Sequence, residues 1–176
     1  MKILKWLLIS VLVLAGVLLL GGMLLSPKFS VSRSVSINAP AAKIYPLVAD
    51  PRAWKAWSVW NRRDPLMEVT YAGAASGAGA VWAWHSQSQG DGKMSFTAAD
   101  ADRQVAYDLY FPDFGTTSSG ALTFNAEGPA TRVTWTMNGD MGSNPLYHWM
   151  ALFTDRMVGK DFEAGLANLK AVVEKS

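Results

Sequence analysis

Residues 144–174 read NPLYHWMALFTDRMVGKDFEAGLANLKAVVE, and this stretch decides how the rest of the chain must fold. Asn144 is a good helix N-cap, and Pro145 suits the first helical position because its missing N–H would find no partner there anyway. Apolar residues then recur at helical spacing as Leu146, Trp149, Met150, Phe153 and Met157, followed by Val158, Phe162, Leu166, Leu169 and Val173. The register of that stripe moves by one position near Gly159, which predicts a bend or weak point. A helix running to about Glu174 with one apolar stripe needs a broad apolar surface to bury it.

Upstream of the helix lies strand after strand. Phe29, Val31, Arg33, Val35 and Ile37 alternate with serines, the period-two pattern of a half-buried strand. Asn38-Ala39-Pro40 then opens a short helix over 41–49, with Asn38 as its cap, and a second short helix from about Arg52 carries Trp54, Trp57 and Trp60. Six more strands are predicted at 67–71, 80–87, 93–98, 104–111, 116–125 and 130–137. They are separated by turns such as Gly73–Gly79, Gly90-Asp91-Gly92 and the Asp100/Asp102 and Asp113 segments. Short, closely spaced strands imply antiparallel pairing. The expected architecture is α+β: a curved antiparallel sheet of about seven strands wrapped around the C-terminal helix, with a space left between them.

At the other end, Trp6 to Leu25 is twenty residues without a charge. As a helix it extends roughly 30 Å, the thickness of a bilayer's hydrocarbon core. It is equally apolar on all faces, unlike a surface helix, and it is longer than a signal-peptide core and lacks an Ala-x-Ala cleavage pattern. The expectation is one retained transmembrane anchor over residues 1–28 and a globular domain over 29–176. Lys2 and Lys5 precede the span while Lys28 and Arg33 follow it, so charge counting alone decides little. A short dibasic tail ahead of a long translocated domain is read as N-terminus cytoplasmic, domain on the outer side.

The chain has 16 Lys and Arg against 14 Asp and Glu; without Lys2 and Lys5 the domain holds 14 of each. The excess of positive charge therefore belongs to the anchor, and no basic patch argues for nucleic acid. With no cysteine, disulfides, thiolate metal sites and a cysteine nucleophile are excluded. No metal or cofactor is expected: the acids sit in turns without EF-hand spacing, and the glycine-rich segment lacks the lysine and strand–helix setting of a phosphate loop.

Three stretches resemble the START-like superfamily, also called SRPBCC, and within it the polyketide cyclase/dehydrase and lipid-transport group. Ser36-Ile37-Asn38-Ala39-Pro40 with Ile44-Tyr45, Val48-Ala49-Asp50, Trp54 and Trp57 is similar to its first strand and paired helices. Gly77-Ala78-Gly79-Ala80-Val81-Trp82-Ala83-Trp84 is similar to its third strand. Asp161 through Lys170 resembles its C-terminal helix. The resemblance spans about 29–175 and implies the helix-grip fold with a hydrophobic cavity between sheet and helix. It implies no particular activity, since the shared motifs are structural.

The expected ligand-binding set is Trp82, Trp84, Tyr107, Phe124, Trp135 and Met137 from the strands, with Met150, Phe153 and Met157 facing them from the helix and Phe153 opposite Trp135. Any one of these serves equally well as core; together, methionines and aromatics suit an adaptable apolar pocket. Trp54, Trp57 and Trp60, with Arg62 and Arg63 behind them, fit either packing against the sheet or a bilayer surface. His85 is expected to face solvent and His148 to lie near the cavity mouth, neither with a catalytic partner. Three functions follow. The first is membrane-tethered binding of a hydrophobic or amphipathic small molecule, lipid-like ones included. The second is a cyclase or hydrolase using the same pocket, for which only Tyr107 offers an inward polar group. The third is a cell-envelope interaction module without a ligand.

Overall fold

The computed structural model describes residues 2–175. Helix α1 (Lys2–Leu24) leads into strand β1 (Lys28–Ile37), helix α2 (Ala41–Ala49), a 3-10 turn (Pro51–Ala56) and helix α3 (Val59–Arg63). Strands β2 (Glu68–Gly73), β3 (Ala80–His85), β4 (Gly92–Asp100), β5 (Gln104–Phe111), β6 (Thr116–Glu127) and β7 (Ala130–Asp140) follow, and helix α4 (Pro145–Val173) comes last. The seven strands form one sheet in the order β1-β7-β6-β5-β4-β3-β2, every neighbouring pair antiparallel. Consecutive hairpins build β2 to β7, and β1 pairs with β7, placing Val31 opposite Met137 and Arg33 opposite Trp135. This is the expected α+β helix-grip architecture.

Alternation sets the two faces of the sheet. Val31 and Ile37, Met94 and Phe96, Val105, Tyr107 and Leu109, Leu122 and Phe124, and Val133, Trp135 and Met137 are all buried on one face. The serines of β1 take the other, where Ser34 Oγ meets Thr134 Oγ1 at 2.9 Å and Ser36 donates to Glu127 at 2.7 Å. The cap assigned to Asn38 is corrected: Pro40 is the N-cap of α2, without a side-chain bond. Asn38 instead donates its backbone N–H to Glu174 Oε1 at 2.7 Å, which holds it at the end of β1 against the end of α4. Asn144 does cap α4, accepting from Leu146 N at 3.0 Å.

Helix α4 is one continuous element through Gly159, and the shift in its apolar stripe is a change of the face that is apolar. At 3.6 residues per turn, Leu146, Met150, Phe153 and Met157 align along one side. His148, Ala151, Thr154, Phe162, Leu166, Leu169 and Val173 align along the opposite side, and it is this second line that is buried. The inward placement expected for three site residues is therefore corrected: Met150 is 44%, Phe153 55% and Met157 68% exposed. The cause is close approach. α4 packs chiefly on β1, and under Gly159 passes the Arg33 guanidinium, which donates to Asp155 at 2.8 Å and to Glu163 at 2.6 Å. A Cβ on Gly159 would overlap that guanidinium, so small residues face the sheet in this half of the helix.

Helix α1 is long and apolar enough to cross a membrane, and of its residues only Gly22 is buried. It is not free of the domain. Gly22 lies against the Pro145 carbonyl so closely that any Cβ would overlap it, and Gly21 lies against the Trp149 ring. His148 Nδ1 meets Gly22 O at 2.8 Å, its Nε2 meets Gly142 O at 2.9 Å, and Trp149 Nε1 donates to Leu18 O at 2.9 Å. His148 thus joins α1 to the start of α4 rather than lining a cavity.

Candidate functional site: the aromatic interior beneath α4

The space between the sheet and the C-terminal half of α4 is filled largely by rings. Trp135 of β7 stacks on Phe162 of α4 with centroids 4.0 Å apart and planes 4° from parallel. It also meets Trp54, Trp57 and Trp60 edge-on at 5.5, 5.3 and 5.8 Å. Trp54 in turn contacts Trp57 at 4.5 Å, Trp82 at 4.8 Å and Phe96 at 6.1 Å. Such offset and edge-to-face contacts add to the apolar burial of each ring. The three tryptophans that fitted either packing or a bilayer surface pack: Trp54 and Trp57 are fully buried and Trp60 partly so.

The 3-10 turn presents Trp54 and Trp57 because their indole N–H groups are satisfied locally, by Val48 O at 2.8 Å and Leu47 O at 3.0 Å. Asp50 accepts from Arg52 N at 2.8 Å and starts that turn. Asn168 Nδ2 of α4 donates to Trp57 O at 3.0 Å, and Arg63 of α3 pairs with Asp161 of α4, so the turn and α3 are fastened to the closing helix.

One polar chain crosses the interior. Trp135 Nε1 donates to Tyr107 Oη at 2.9 Å, and Tyr107 Oη donates to Thr136 O at 3.0 Å. Burial pushes the Tyr107 phenol well above its usual range, offset only in part by the bond from Trp135, so it stays neutral and engaged. A phenol held this way is a poor proton acceptor. Trp82 Nε1 differs: it is buried and has no hydrogen-bond partner. Buried donors are normally paired, and one left open inside an apolar surround is a place for an incoming acceptor. Among the described residues no group of acids and histidines could hold a metal ion.

Of the expected set, Tyr107, Phe124, Trp135 and Met137 lie in the buried core, and Trp82 and Trp84 are half-buried against it. Trp135 faces Phe162, not Phe153. Sequence reading left Phe96 and Phe162 out of the set. Phe162 carried a usable signal, since it is the first aromatic of α4 after the stripe changes face. His85 is exposed and meets Asp91 Oδ1 at 2.7 Å across the β3–β4 turn. Two open depressions of about 360 Å³ each lie elsewhere. One is at the sheet rim beside Asp100, Arg103, Gln104, Phe124 and Asn125. The other is on the outer face among Lys93, Ser95, Asp108, Tyr110 and Thr117.

Residues 28–174 match the family model described as polyketide cyclase / dehydrase and lipid transport, and the chain belongs to that family. No curated protein matches it. Solved structures share its fold at low identity. Norcoclaurine synthase of Thalictrum flavum, a point mutant in complex with a transition state analogue, superposes with a TM-score of 0.64 at 10% identity, covering 85% of this chain and 96% of that one. A protein of Chromobacterium violaceum gives 0.61 at 12% identity, covering 83% and 98%. DynU16, a protein in the dynemicin biosynthetic locus, gives 0.59 at 15% identity; 82% of this chain is covered, and the chain spans about half, 47%, of DynU16.

Proposed function

We infer that the protein is a membrane-tethered binder of an apolar, ring-bearing or lipid-like small molecule, taken up in the aromatic interior between sheet and α4. The observation that carries this reading is the unpartnered, buried Trp82 Nε1 beside rings of the interior, which offers one hydrogen bond to a ligand that is otherwise apolar. Membership of a family that includes lipid transport supports it. In this reading residues 1–28 form the tether, with α1 spanning the bilayer, its N-terminus cytoplasmic and domain 29–176 outside. The half-buried rings Trp82 and Trp84, with Met137, Phe124, Tyr107 and Trp135 behind them, are the binding surface. Met150, Phe153 and Met157 do not contribute to it.

The test is native mass spectrometry of the full chain released from nanodiscs, followed by extraction and identification of any bound molecule, repeated with Trp82→Phe. A retained small molecule whose occupancy falls when the indole donor is removed supports the reading. A chain that carries nothing and gives no saturable binding of an anilinonaphthalene probe beyond the empty-nanodisc signal overturns it. That second result favours an envelope interaction module, for which the close ring contacts around Trp135 already speak. An enzymatic reading has no comparable support, because Tyr107, the one ionisable group in the polar chain, is neutral and doubly engaged.

A further inference from the structure

The outer side of α4 between Leu146 and Met157 is a line of large apolar side chains with nothing against it. Leu146, Met150, Phe153 and Met157 follow one another at steps of four, three and four, about 16 Å along the helix, and Leu152 is exposed beside them. Past Met157 the same side turns polar or small, with Lys160, Ala164, Asn168 and Ala171. Only the half of α4 that touches α1 carries the exposed apolar line. An apolar patch of this kind in a soluble setting marks an interaction surface.

Its position relative to α1 identifies what covers it. Trp149 Nε1 bonds Leu18 O, and Leu18 lies six residues before the end of α1 at Leu24, about 9 Å of helix. The first turns of α4 therefore run beside the last two turns of the apolar helix, within about 9 Å of the depth at which a spanning helix leaves the hydrocarbon. Tryptophan is enriched at that depth. Asp155 is the first acid of α4, and Arg33 takes it at 2.8 Å; Arg156 and Lys160, both exposed, close the apolar line at its far end.

We propose that the outer face of α4 from Leu146 to Met157 lies in the interfacial layer of the bilayer that α1 spans, so that the domain rests on the membrane in one fixed orientation set by the Gly21-Gly22 seat. The occupant is the lipid surface itself, an amphipathic contact continuous with α1. This inference rests on the reading of α1 as a membrane span, and the experiment separates the two.

The chain has no cysteine, so single cysteines can be labelled with a nitroxide without background. Met150→Cys, Phe153→Cys and Met157→Cys are compared with Leu12→Cys in α1 and Ala164→Cys on the polar continuation of the same side. All are placed in the full chain in phosphatidylcholine/phosphatidylglycerol nanodiscs and power-saturated with oxygen and with a water-soluble nickel chelate. The expected result is a several-fold rise in the oxygen-to-nickel accessibility ratio at 150, 153 and 157 over 164, approaching that at Leu12. If Leu12 is lipid-exposed while the three α4 sites match Ala164, the docking is refuted and the tether stands. If Leu12 is also open to nickel, the tether fails and the docking with it. If the three sites are shielded from both agents and show spin–spin broadening that grows with protein-to-lipid ratio, a second copy covers the face and the proposal is wrong.

Discussion

Two phenylalanines nine residues apart on α4 should respond to the same substitution in opposite ways. Phe162 is 1% exposed and stacks on Trp135 at 4.0 Å, whereas Phe153 is 55% exposed. Phe162→Ala removes a buried ring and leaves a void flanked by Trp135 and Trp60, surfaces too rigid to collapse fully. The cost expected is about 3–5 kcal/mol, toward the upper end because the stacked pair is lost with the burial. Phe153→Ala removes no core contact, and its proposed bilayer contact is one the unfolded chain, still held by α1, can also make, so it should stay within about 0.5 kcal/mol of wild type. For a chain of this length the first change lowers the melting temperature by roughly 6–20 °C and the second by about 2 °C at most. Near-UV circular dichroism of the full chain in nanodiscs follows the tryptophan interior directly. Equal penalties at the two positions would mean that both lines of α4 face the sheet, and the assignment of an inner and an outer face would be wrong.

Gly22→Leu puts a side chain where the Pro145 carbonyl sits. It should unseat α1, broadening the distance distribution between nitroxides at Leu14 and Leu152, while the interior unfolds at the wild-type temperature, since α1 supplies no residue to the hydrophobic core. A sharp distance with a lowered melting point would contradict this. Tyr107→Phe leaves Trp135 Nε1 buried without its acceptor and should cost about 1–3 kcal/mol at neutral pH. Its pH dependence has a definite sign. The folded phenol is raised above the unfolded value of 10.0, so its contribution is intact below pH 10 and is lost above it, as the unfolded chain ionises first. Wild type should therefore lose stability faster than Tyr107→Phe between pH 10 and 11; parallel slopes in urea melts would show that Tyr107 is not buried as described.

Most of the fold was legible because local chemistry repeats it. Alternation in 29–37 and 130–137 marked which residues of β1 and β7 face inward, Trp135 and Met137 among them, and alternation in 104–111 and 116–125 did the same for Tyr107 and Phe124, all four of which are buried. Turn residues fixed the hairpins. The long helix was legible as a helix, but periodicity tells only that a face is apolar, not what lies against it. In α4 the large residues of the first half pointed to one face and the buried positions lay on the other, filled by His148, Ala151 and Thr154. Small residues pack because the partner is close, and that closeness comes from Arg33 and α1, contacts distant in sequence that no window of α4 contains.

The same reasoning explains why the seat of α1 escaped notice. Gly21 and Gly22 sit in a segment whose uniform apolarity reads as lipid-facing on every side, so their lack of side chains carried no apparent meaning. In the structure they form a notch in the helix, and a backbone carbonyl and a tryptophan ring fill it. A tether that only held the domain near a membrane would need no such fit, and a flexible linker after Leu25 would serve. Instead three residues separate α1 from β1, and His148 bonds back across them. Helix α1 and the start of α4 are thus joined at one corner, and α4 links that corner, through Phe162 and Trp135, to the interior itself.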